Sequence, residues 1–392
     1  MDNGPNELQA GTGTERLPFI YGHVDPTLFP IERLRKASQE ALRRFGAQAL
    51  NYGVERGCGL LLDFIQAKLA RHEGLEIDRG NLMLTAGASG AIDALCRLFA
   101  EPGDVILVEA PTYHEALAII RDYPVRIEAI PVDSEGIVVD ELEDRVAELH
   151  ASGDRPRLLY TIPTFQNPSS ITQSKSRRIA LLEIARRWRF TIVEDDVYRD
   201  LAYDGAPPPS IYALDALEDG DSTLRLGSFS KILGPGLRLG WLMGPSSAIT
   251  RITGSGLVAS GGGANPYAAF TTAVFCQNGW LEPHIRQLVA AYRERRDVML
   301  ASLARSMPGD ISWTLPGGGF FVWVTLPEQL LARDVLAKAR QHSLSFLTGE
   351  PFFVGGGGKH HIRLPFSYIP PDEMVRGIAT LGEIVSDLLA AV

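Results

Sequence analysis

A lysine stands among small hydroxyl residues and glycines in the segment Gly227-Ser228-Phe229-Ser230-Lys231, directly after an apolar stretch. An amine just past a buried strand can be desolvated, which lowers its pKa and makes it nucleophilic toward a carbonyl group. The two serines and Arg238 can hold an anion, because a guanidinium group presents a planar fork to phosphate. On spacing alone, a Gly/Ser loop with an incidental lysine is an equally good interpretation. The chain has only five other lysines, and these lie on predicted helices or beside a glycine-rich turn, which favours Lys231.

Acidic residues and a tyrosine follow another apolar stretch, in Glu194-Asp195-Asp196-Val197-Tyr198. Open α/β sheets bind ligands at the carboxyl ends of their parallel strands, which is where this segment is predicted to lie. A carboxylate from Asp195 could pair there with a protonated ring nitrogen, and Tyr198 could hydrogen-bond a phenolic oxygen. The alternative is that Asp195 or Asp196 caps the next helix, which is a common role for aspartate.

Polar or small residues also follow the other predicted strands. Asn167 precedes a proline that holds it in an extended or turn conformation, and an ordinary turn asparagine is an equally good interpretation. Ala88 and Ser89 stand where a predicted helix begins, and helix N-termini favour phosphate. Tyr113 follows the next strand, where it is suited either to stack on a planar ligand or to pack in the core.

Arg363 lies inside an otherwise apolar stretch near the end of the chain, Ile362–Phe366. Burial of an arginine in such a strand requires a partner for its charge. A ligand carboxylate would serve, and an internal Asp or Glu is the structural alternative.

Short apolar strands alternate with helices from Leu82 onward, a pattern typical of an α/β fold with a mostly parallel sheet covered by helices on both faces. The predicted strands are Leu82–Thr85, Val105–Glu109, Arg126–Pro131, Leu158–Ile162, Thr191–Glu194, Leu224–Gly227 and Gly240–Met243. Helices are predicted at Ile31–Phe45, Ser89–Phe99, Tyr113–Asp122, Val139–Leu149 and Lys175–Trp188.

Apolar residues then recur at helical spacing from Leu281 to Leu303 and predict one long helix. A second, smaller α+β domain is predicted after it, with a strand at Gly319–Val324, a helix at Ala332–His342, a strand pair around Phe352 and Ile362–Phe366, and a last helix from Pro371. We expect a large domain at residues 46–282 and a small domain that combines residues 1–45 with residues 283–392.

The composition of the chain argues against nucleic acid and membranes as binding partners. The chain has 392 residues and a net charge of −9, and without a basic stripe it is a poor candidate for binding nucleic acid or an anionic membrane. No apolar run approaches the roughly 18 residues that span a bilayer. Residues 1–16 show no signal-peptide pattern. Nucleic acid and membrane are therefore not expected as partners.

Cysteine and histidine usage points to location and excludes some chemistry. The three cysteines, Cys58, Cys96 and Cys276, are odd in number and far apart, which fits a reducing cytosol. The eight histidines show no metal-ligand spacing, and no G-x-S-x-G motif supports hydrolase chemistry. We expect a cytoplasmic protein without a metal site.

In their order along the chain, these motifs resemble the fold-type-I aminotransferases of class I/II, which depend on pyridoxal 5′-phosphate (PLP). The resemblance covers nearly the whole chain from about Ile20, and it is strongest to the 2-aminoadipate/kynurenine branch. That branch also resembles the catalytic half of the MocR regulators, but the residues before the match are not basic, so a DNA-binding winged helix is not expected.

The resemblance implies a role for each residue that would contact the cofactor ring. Lys231 corresponds to the lysine that forms the internal aldimine and shuttles a proton between Cα and C4′. Asp195 corresponds to the carboxylate that keeps the pyridine nitrogen protonated, so that the ring accepts electrons. Tyr198 and Asn167 correspond to the pair that hydrogen-bonds the phenolate oxygen, and Tyr113 to the aromatic residue stacked on the ring.

The resemblance also implies how phosphate and substrate are bound. The phosphate ligands would be Ala88, Ser89, Ser228, Ser230 and Arg238, together with Tyr52, which the family donates from the neighbouring subunit. Arg363 corresponds to the arginine that binds the substrate α-carboxylate, Gly22 to the glycine of the N-terminal substrate loop, and Asn167 also lies at the substrate. A homodimer with shared active sites is therefore expected.

The resulting hypothesis is a PLP-dependent aminotransferase that moves an amino group between an α-amino acid and a 2-oxo acid. A PLP-dependent lyase, oxidase or carbon–carbon bond-forming enzyme on the same fold is the alternative. A protein that binds PLP or an amino acid without turnover is a third possibility, against which an intact Lys231 and Asp195 argue. The side chain of the preferred amino acid is left open by the sequence.

Overall fold

The structure is a computed structural model that describes residues 17–391. Its strands, in chain order, are β1 (Leu17–Phe19), β2 (Leu82–Thr85), β3 (Val105–Ala110), β4 (Arg126–Asp133), β5 (Gly136–Ile137), β6 (Pro156–Thr161), β7 (Thr191–Asp195), β8 (Thr223–Ser228), β9 (Gly240–Met243), β10 (Ser312–Trp313), β11 (Phe321–Thr325), β12 (Leu344–Thr348) and β13 (His361–Pro365). Its α-helices are α1 (Ile31–Phe45), α2 (Ala47–Leu50), α3 (Gly59–Glu73), α4 (Gly87–Phe99), α5 (His114–Arg121), α6 (Val139–Ala151), α7 (Lys175–Trp188), α8 (Ile211–Ala216), α9 (Ser246–Thr253), α10 (Pro266–Gln277), α11 (Leu281–Ser306), α12 (Ala332–Gln341) and α13 (Pro371–Ala390).

Eight of these strands form one sheet in the order β2-β9-β8-β7-β6-β3-β4-β5. The five strands from β8 to β4 are mutually parallel, whereas β9 pairs antiparallel with both β8 and β2. The predicted mostly parallel sheet is confirmed. Its consequence is that the carboxyl ends of β3, β6, β7 and β8 meet at one edge.

Helices cover both faces of this sheet. Ile106 and Val108 of β3 pack in a core shared with α4, α5 and α9. Their neighbours Val105 and Leu107 pack in a second core shared with α6, α7 and α8. Since successive side chains of a strand point to opposite faces, a continuous apolar strand of this kind requires cover on both sides.

A second sheet of five strands is built from both ends of the described chain, in the order β1-β12-β13-β11-β10. β1 pairs in parallel with β12, which places Phe19 opposite Phe346. α13 packs tightly beside β1, since a Cβ atom at Gly377 would lie 2.4 Å from the Phe19 ring. The long α11, 26 residues in length, follows the eight-stranded sheet in the chain and precedes the strands of this one.

The strand predicted around Phe352 is wrong. β12, at Leu344–Thr348, pairs with β13 in place of the predicted strand, and Phe352 ends a short 3₁₀-helix, Glu350–Phe352. Pro351 has no N–H to donate to a ladder, which disfavours strand pairing at this point. Residues 1–16, which belong to the predicted small domain, lie outside the described residues.

None of the helices in residues 17–391 has the length and apolar character needed to cross a bilayer. In the same range, no three or more His, Cys, Asp or Glu side chains are grouped so that they could hold a metal ion.

Candidate active site

Four of the predicted site residues stand at the shared edge of the large sheet. Tyr113 follows β3, Asn167 follows β6, Asp195 ends β7 and Lys231 follows β8. Because these strands are parallel neighbours, the sheet brings together residues that are up to 118 positions apart in the chain. This is the edge at which open α/β sheets bind their ligands.

Lys231 reaches into a pocket lined by backbone and aromatic rings. Its Nζ donates a hydrogen bond to the Gly22 carbonyl oxygen at 3.3 Å and lies 5.7 Å from the ring centroids of both Tyr198 and Phe320. Burial is the main reason that the pKa of Lys231 falls to about 8, and the charge of Arg363 acts in the same direction. The amine is therefore more easily freed of its proton than an ordinary lysine amine.

Asp195 is buried, and only one of its two carboxylate oxygens has a hydrogen-bond partner. Its Oδ2 accepts a hydrogen bond from the Tyr160 hydroxyl at 2.6 Å, whereas its Oδ1 has no hydrogen-bond partner. Burial raises the pKa of Asp195 to about 6, although the Tyr160 hydrogen bond opposes this. A buried carboxylate oxygen without a partner is costly, so a donor brought by a ligand would be bound there.

The neighbouring Asp196 has a different role. It pairs with Arg225, whose Nη2 lies 2.8 Å from Asp196 Oδ2 and whose Nη1 lies 2.8 Å from Glu73 Oε2. The 3₁₀-helix that follows, Arg199–Leu201, has no side-chain cap. The alternative in which one of the two aspartates caps the next helix is therefore wrong, because a buried ion cluster holds Asp196 instead.

Asn167, Tyr198 and Arg363 surround the same space. Asn167 Oδ1 accepts a hydrogen bond from Arg363 Nη1 at 3.1 Å, which leaves the amide nitrogen of Asn167 to donate elsewhere. Tyr198 is buried, and burial raises the pKa of its hydroxyl, which therefore keeps its proton.

Arg363 has no carboxylate partner within the described chain. Its Nη2 donates to the Ile20 carbonyl oxygen at 3.0 Å, and its guanidinium carbon lies 4.3 Å from the Phe321 ring centroid. Its buried Nε has no hydrogen-bond partner, and burial lowers its pKa to about 10. Of the two alternatives raised by the sequence, the internal Asp or Glu is absent from these contacts, which leaves an anionic ligand.

An anion cradle lies beside Lys231. Ala88 and Ser89 are the second and third residues of α4, where backbone N–H groups have no acceptor within the helix. Ser228 Oγ, at the end of β8, accepts from the Ser230 N–H at 3.0 Å. The Arg238 side chain faces the same helix end, since a Cβ atom at Gly87 would lie 3.1 Å from Arg238 Nη2.

The remaining predicted residues are Gly22, which contacts Lys231, Tyr113, which follows β3, and Tyr52, which lies at the surface. Gly22 packs so closely that a Cβ atom there would lie 2.6 Å from the Phe321 ring. Tyr113 donates its hydroxyl to the Glu115 carboxylate, and its ring contacts His114 edge-on. Tyr52 is 83% exposed, and its ring lies against Gly261.

Sequence reasoning missed two buried residues that support the site. Tyr160 lies within the apolar strand β6, where nothing distinguishes it from a core aromatic residue. Glu109, near the end of β3, accepts hydrogen bonds from Gln166 Nε2 at 2.9 Å and from the Ile162 N–H at 3.2 Å, and so holds the loop that carries Asn167. An acidic residue near the end of an apolar strand is the signal that identified Asp195, and it could have identified Glu109.

These features fit PLP. An unpaired, buried carboxylate oxygen of Asp195 suits a protonated ring nitrogen, and the cradle of hydroxyls, helix N–H groups and Arg238 suits a phosphate. Lys231 adds an amine whose pKa is lowered by burial and on which the charges of Asp195 and Arg238 both act. Arg363 then remains for the carboxylate of a substrate.

Comparisons with known proteins agree with this geometry. The sequence model of the family "Aminotransferase class I and II" matches residues 23–381. Aromatic-amino-acid aminotransferase 1 of Thermococcus litoralis is 37% identical over 365 residues, which cover 92% of this chain and 86% of that protein.

Two solved structures are similar over their whole length. The multiple substrate aminotransferase of Thermococcus profundus superposes with a TM-score of 0.93 at 34% identity, over 100% of this chain and 97% of the other. The α-aminoadipate aminotransferase LysN of Thermus thermophilus, complexed with N-(5′-phosphopyridoxyl)-L-leucine, has a TM-score of 0.87 at 30% identity, over 96% and 93% of the two chains. The fold-type-I architecture and the PLP cofactor expected from the resemblance are confirmed.

Family and fold together settle the class of reaction. Aminotransferases of this family act on amino acids and 2-oxo acids, and the match covers most of the chain. The chain therefore belongs to the class I and II aminotransferases, and it is an enzyme that transfers amino groups with PLP.

Proposed function

We propose that Lys231 is the residue whose amine reacts with the cofactor and later moves the proton at the substrate Cα. The bound cofactor supplies an aldehyde carbon and a ring that accepts electrons. The observation that carries this proposal is the position of Lys231 Nζ, which is enclosed by the Gly22 carbonyl and two aromatic rings at the edge of the sheet. Its pKa of about 8 supports it, because only the neutral amine attacks a carbonyl carbon.

Asp195 keeps the proton on the ring nitrogen in this proposal. Its Oδ1 is buried and unpaired, and an anionic oxygen in such a place favours a protonated partner. Tyr160 fixes the carboxylate by donating to Oδ2. Asn167 and Tyr198 donate to the ring oxygen, since the Asn167 amide nitrogen and the protonated Tyr198 hydroxyl are both donors.

Arg363 binds the α-carboxylate of the substrate. Its guanidinium group is buried, is fixed by Asn167 and the Ile20 carbonyl, and keeps an unpaired Nε. A bidentate carboxylate would satisfy that charge. Gly22 has no side chain to obstruct this space, and its carbonyl oxygen accepts a hydrogen bond from Lys231 Nζ.

The phosphate group is held by the N–H groups of Ala88 and Ser89, the hydroxyls of Ser228 and Ser230, and Arg238. Tyr113 stacks on the ring. The position of the phosphate ligands supports these assignments. Ala88 and Ser89 stand at the N-terminus of α4 and Ser228 stands at the end of β8, so the helix and the strand both present hydrogen-bond donors to the same space.

A homodimer with shared active sites completes the site by bringing in Tyr52 of the partner subunit. Leu50 and Val54, two residues on either side of Tyr52 in the chain, are 71% and 68% exposed. Leu257, four residues before the Gly261 against which the Tyr52 ring lies, is 54% exposed. An apolar surface of this kind is typical of a protein interface.

Each protomer consists of the two domains expected from the sequence: a large domain of residues 46–282 and a small domain that combines residues 1–45 with residues 283–392. A cytoplasmic location is supported by three free, buried cysteines.

Peptide mapping tests the assignment of Lys231. The enzyme is reduced with borohydride in the presence of PLP, digested and analysed by mass spectrometry. We expect the cofactor on the Lys231 peptide in the native enzyme and in the control Lys338→Ala, and on no peptide in Lys231→Ala. Attachment to another lysine in the native enzyme would show that Lys231 is not the reacting amine.

Sedimentation of the enzyme as an active monomer would contradict the shared site.

A further inference from the structure

Gln166 is a buried amide directly before Asn167, and the proposed function gives it no role. Its side chain uses both its donor and its acceptor end. Nε2 donates to Glu109 Oε2 at 2.9 Å and to the Pro111 carbonyl oxygen at 2.6 Å. Oε1 accepts from the Ser169 N–H at 3.1 Å and from the Ser169 hydroxyl. The amide therefore cannot turn without breaking several hydrogen bonds in a space closed to water.

These contacts fix the loop that carries Asn167 on both of its sides. The loop leaves β6, whose end is held because Glu109 also accepts from the Thr161 hydroxyl and from the Ile162 N–H. Ser169, which Gln166 holds, stands two residues after Asn167. Asn167 thus lies between two residues of one hydrogen-bonded clamp, which is anchored to the end of β3.

The orientation of Asn167 is important because the two ends of its amide have different partners. Oδ1 accepts from Arg363 Nη1 at 3.1 Å, and the amide nitrogen donates to the cofactor ring oxygen under the proposed function. The next part of the loop is held by the small domain, since the Ser170 hydroxyl donates to the Phe321 carbonyl oxygen at 2.7 Å. A tilt of the amide would weaken both of its hydrogen bonds, which depend steeply on angle.

We infer that Gln166 is a positioning residue: by fixing both sides of the loop that carries Asn167, it aims the amide of that residue at the cofactor ring oxygen and at Arg363. This inference rests on the proposed role of Asn167. The side-chain contacts of Gln166 go to Glu109, Pro111 and Ser169, so Gln166 acts on the cofactor through Asn167.

An absorbance titration of the PLP-loaded enzyme tests this role in the native protein, in Gln166→Met and in the control Gln341→Met, which alters an exposed residue at the end of α12. A ring oxygen that receives a donor holds a proton less tightly. Loss of the Asn167 donor should therefore raise the pH at which the bound cofactor changes its absorbance. We expect an upward shift of about one pH unit in Gln166→Met, which is a tenfold change in proton affinity, and no shift in the control.

A double-mutant cycle shows whether the effect passes through Asn167. In Asn167→Ala the ring oxygen has already lost this donor, so adding Gln166→Met should move the midpoint by less than about 0.3 pH unit. A second full shift in the double variant would overturn the inference, because Gln166 would then act by another route.

A milder variant covers the case in which Gln166→Met does not fold. Ser169→Ala removes the hydroxyl from the clamp and keeps the backbone N–H, so a smaller upward shift is expected. An unchanged midpoint in Ser169→Ala would then overturn the inference.

The outcomes separate this inference from the function on which it rests. A shifted midpoint in Asn167→Ala together with an unchanged midpoint in Gln166→Met would overturn the role of Gln166 alone. An unchanged midpoint in Asn167→Ala would contradict the proposed role of Asn167 instead.

Discussion

The pKa of the Lys231 amine offers a direct measure of how the fold prepares this residue. In the cofactor-free chain, burial lowers the pKa to about 8, with Arg363 and Arg238 acting in the same direction and Glu115 and Asp195 opposing them. The relevant perturbation is a change of pH, because the amine reacts only when it has lost its proton. As the pH is lowered, Lys231 should therefore stay reactive to a much lower pH than an ordinary lysine.

The size of the effect follows from the two pKa values. At pH 7, a pKa of about 8 leaves about 9% of the amine neutral. A lysine with the model-peptide pKa of about 10.4 is about 0.04% neutral at the same pH. At pH 7, the neutral fraction of Lys231 is therefore about 200 times larger than that of the model amine. In a titration from pH 6 to pH 11, the midpoint of Lys231 should lie about two pH units below the midpoint of the model amine.

Competitive labelling can follow this titration residue by residue. The cofactor-free enzyme is treated with a trace of acetic anhydride at pH values from 6 to 11, together with an N-acetyl-lysine amide standard, and the acetylated peptides are quantified by mass spectrometry. With only six lysines in the chain, each can be assigned, and the exposed Lys338 and Lys359 serve as accessible references. We expect the labelling of Lys231 to have its midpoint near pH 8.

Two variants test the electrostatic part of the reasoning. Arg363→Met removes a positive charge and should move the midpoint of Lys231 upward, whereas Glu115→Gln removes a negative charge and should move it downward. A native midpoint close to that of the standard would refute the argument that the pocket desolvates Lys231. Shifts of the same sign in both variants would refute the charge assignments.

Two further predictions concern the supports of the site. Arg225→Met removes the closer of the two cations that pair with Glu73 and Asp196 and leaves them only the 3.4 Å contacts of Arg199. Urea denaturation should therefore show a loss of about 3 kcal/mol, whereas Arg286→Met at an exposed position should stay within about 0.5 kcal/mol of the native enzyme; equal stability of the two variants would contradict the role of the cluster. Gly22→Ala places a Cβ atom 2.6 Å from the Phe321 ring and should cost about 1–3 kcal/mol in the same measurement. Gly309→Ala, where no heavy atom lies within 4 Å of the added Cβ, is the matched control, and a comparable loss in both would show that close packing is not the cause.

The order of the elements and the chemistry at the ends of the strands could be predicted from the residues alone. The large-sheet strands β2 to β4 and β6 to β9 and the helices α1, α4 to α7 and α11 agree with their predictions to within three residues at either end. This is possible because periodicity and strand-to-helix alternation are local properties of the chain. Asp195, Asn167 and Lys231 could be identified for the same reason, since each polar residue stands at the end of an apolar strand or in the loop that follows it.

Which polar groups are paired and which are left unpaired depends on how the strands and helices pack in the folded chain. Asp195 receives the Tyr160 hydroxyl from 35 residues away and keeps one free oxygen, and Asp196 is held by Arg225 rather than capping a helix. Arg363 finds Asn167 from 196 residues away and no carboxylate. Such pairings depend on which strands become neighbours and which side chains share a buried space, and no local pattern in the chain encodes the distance between two residues that far apart. The unpaired atoms of a site, which reveal what it binds, therefore become visible only in the folded molecule.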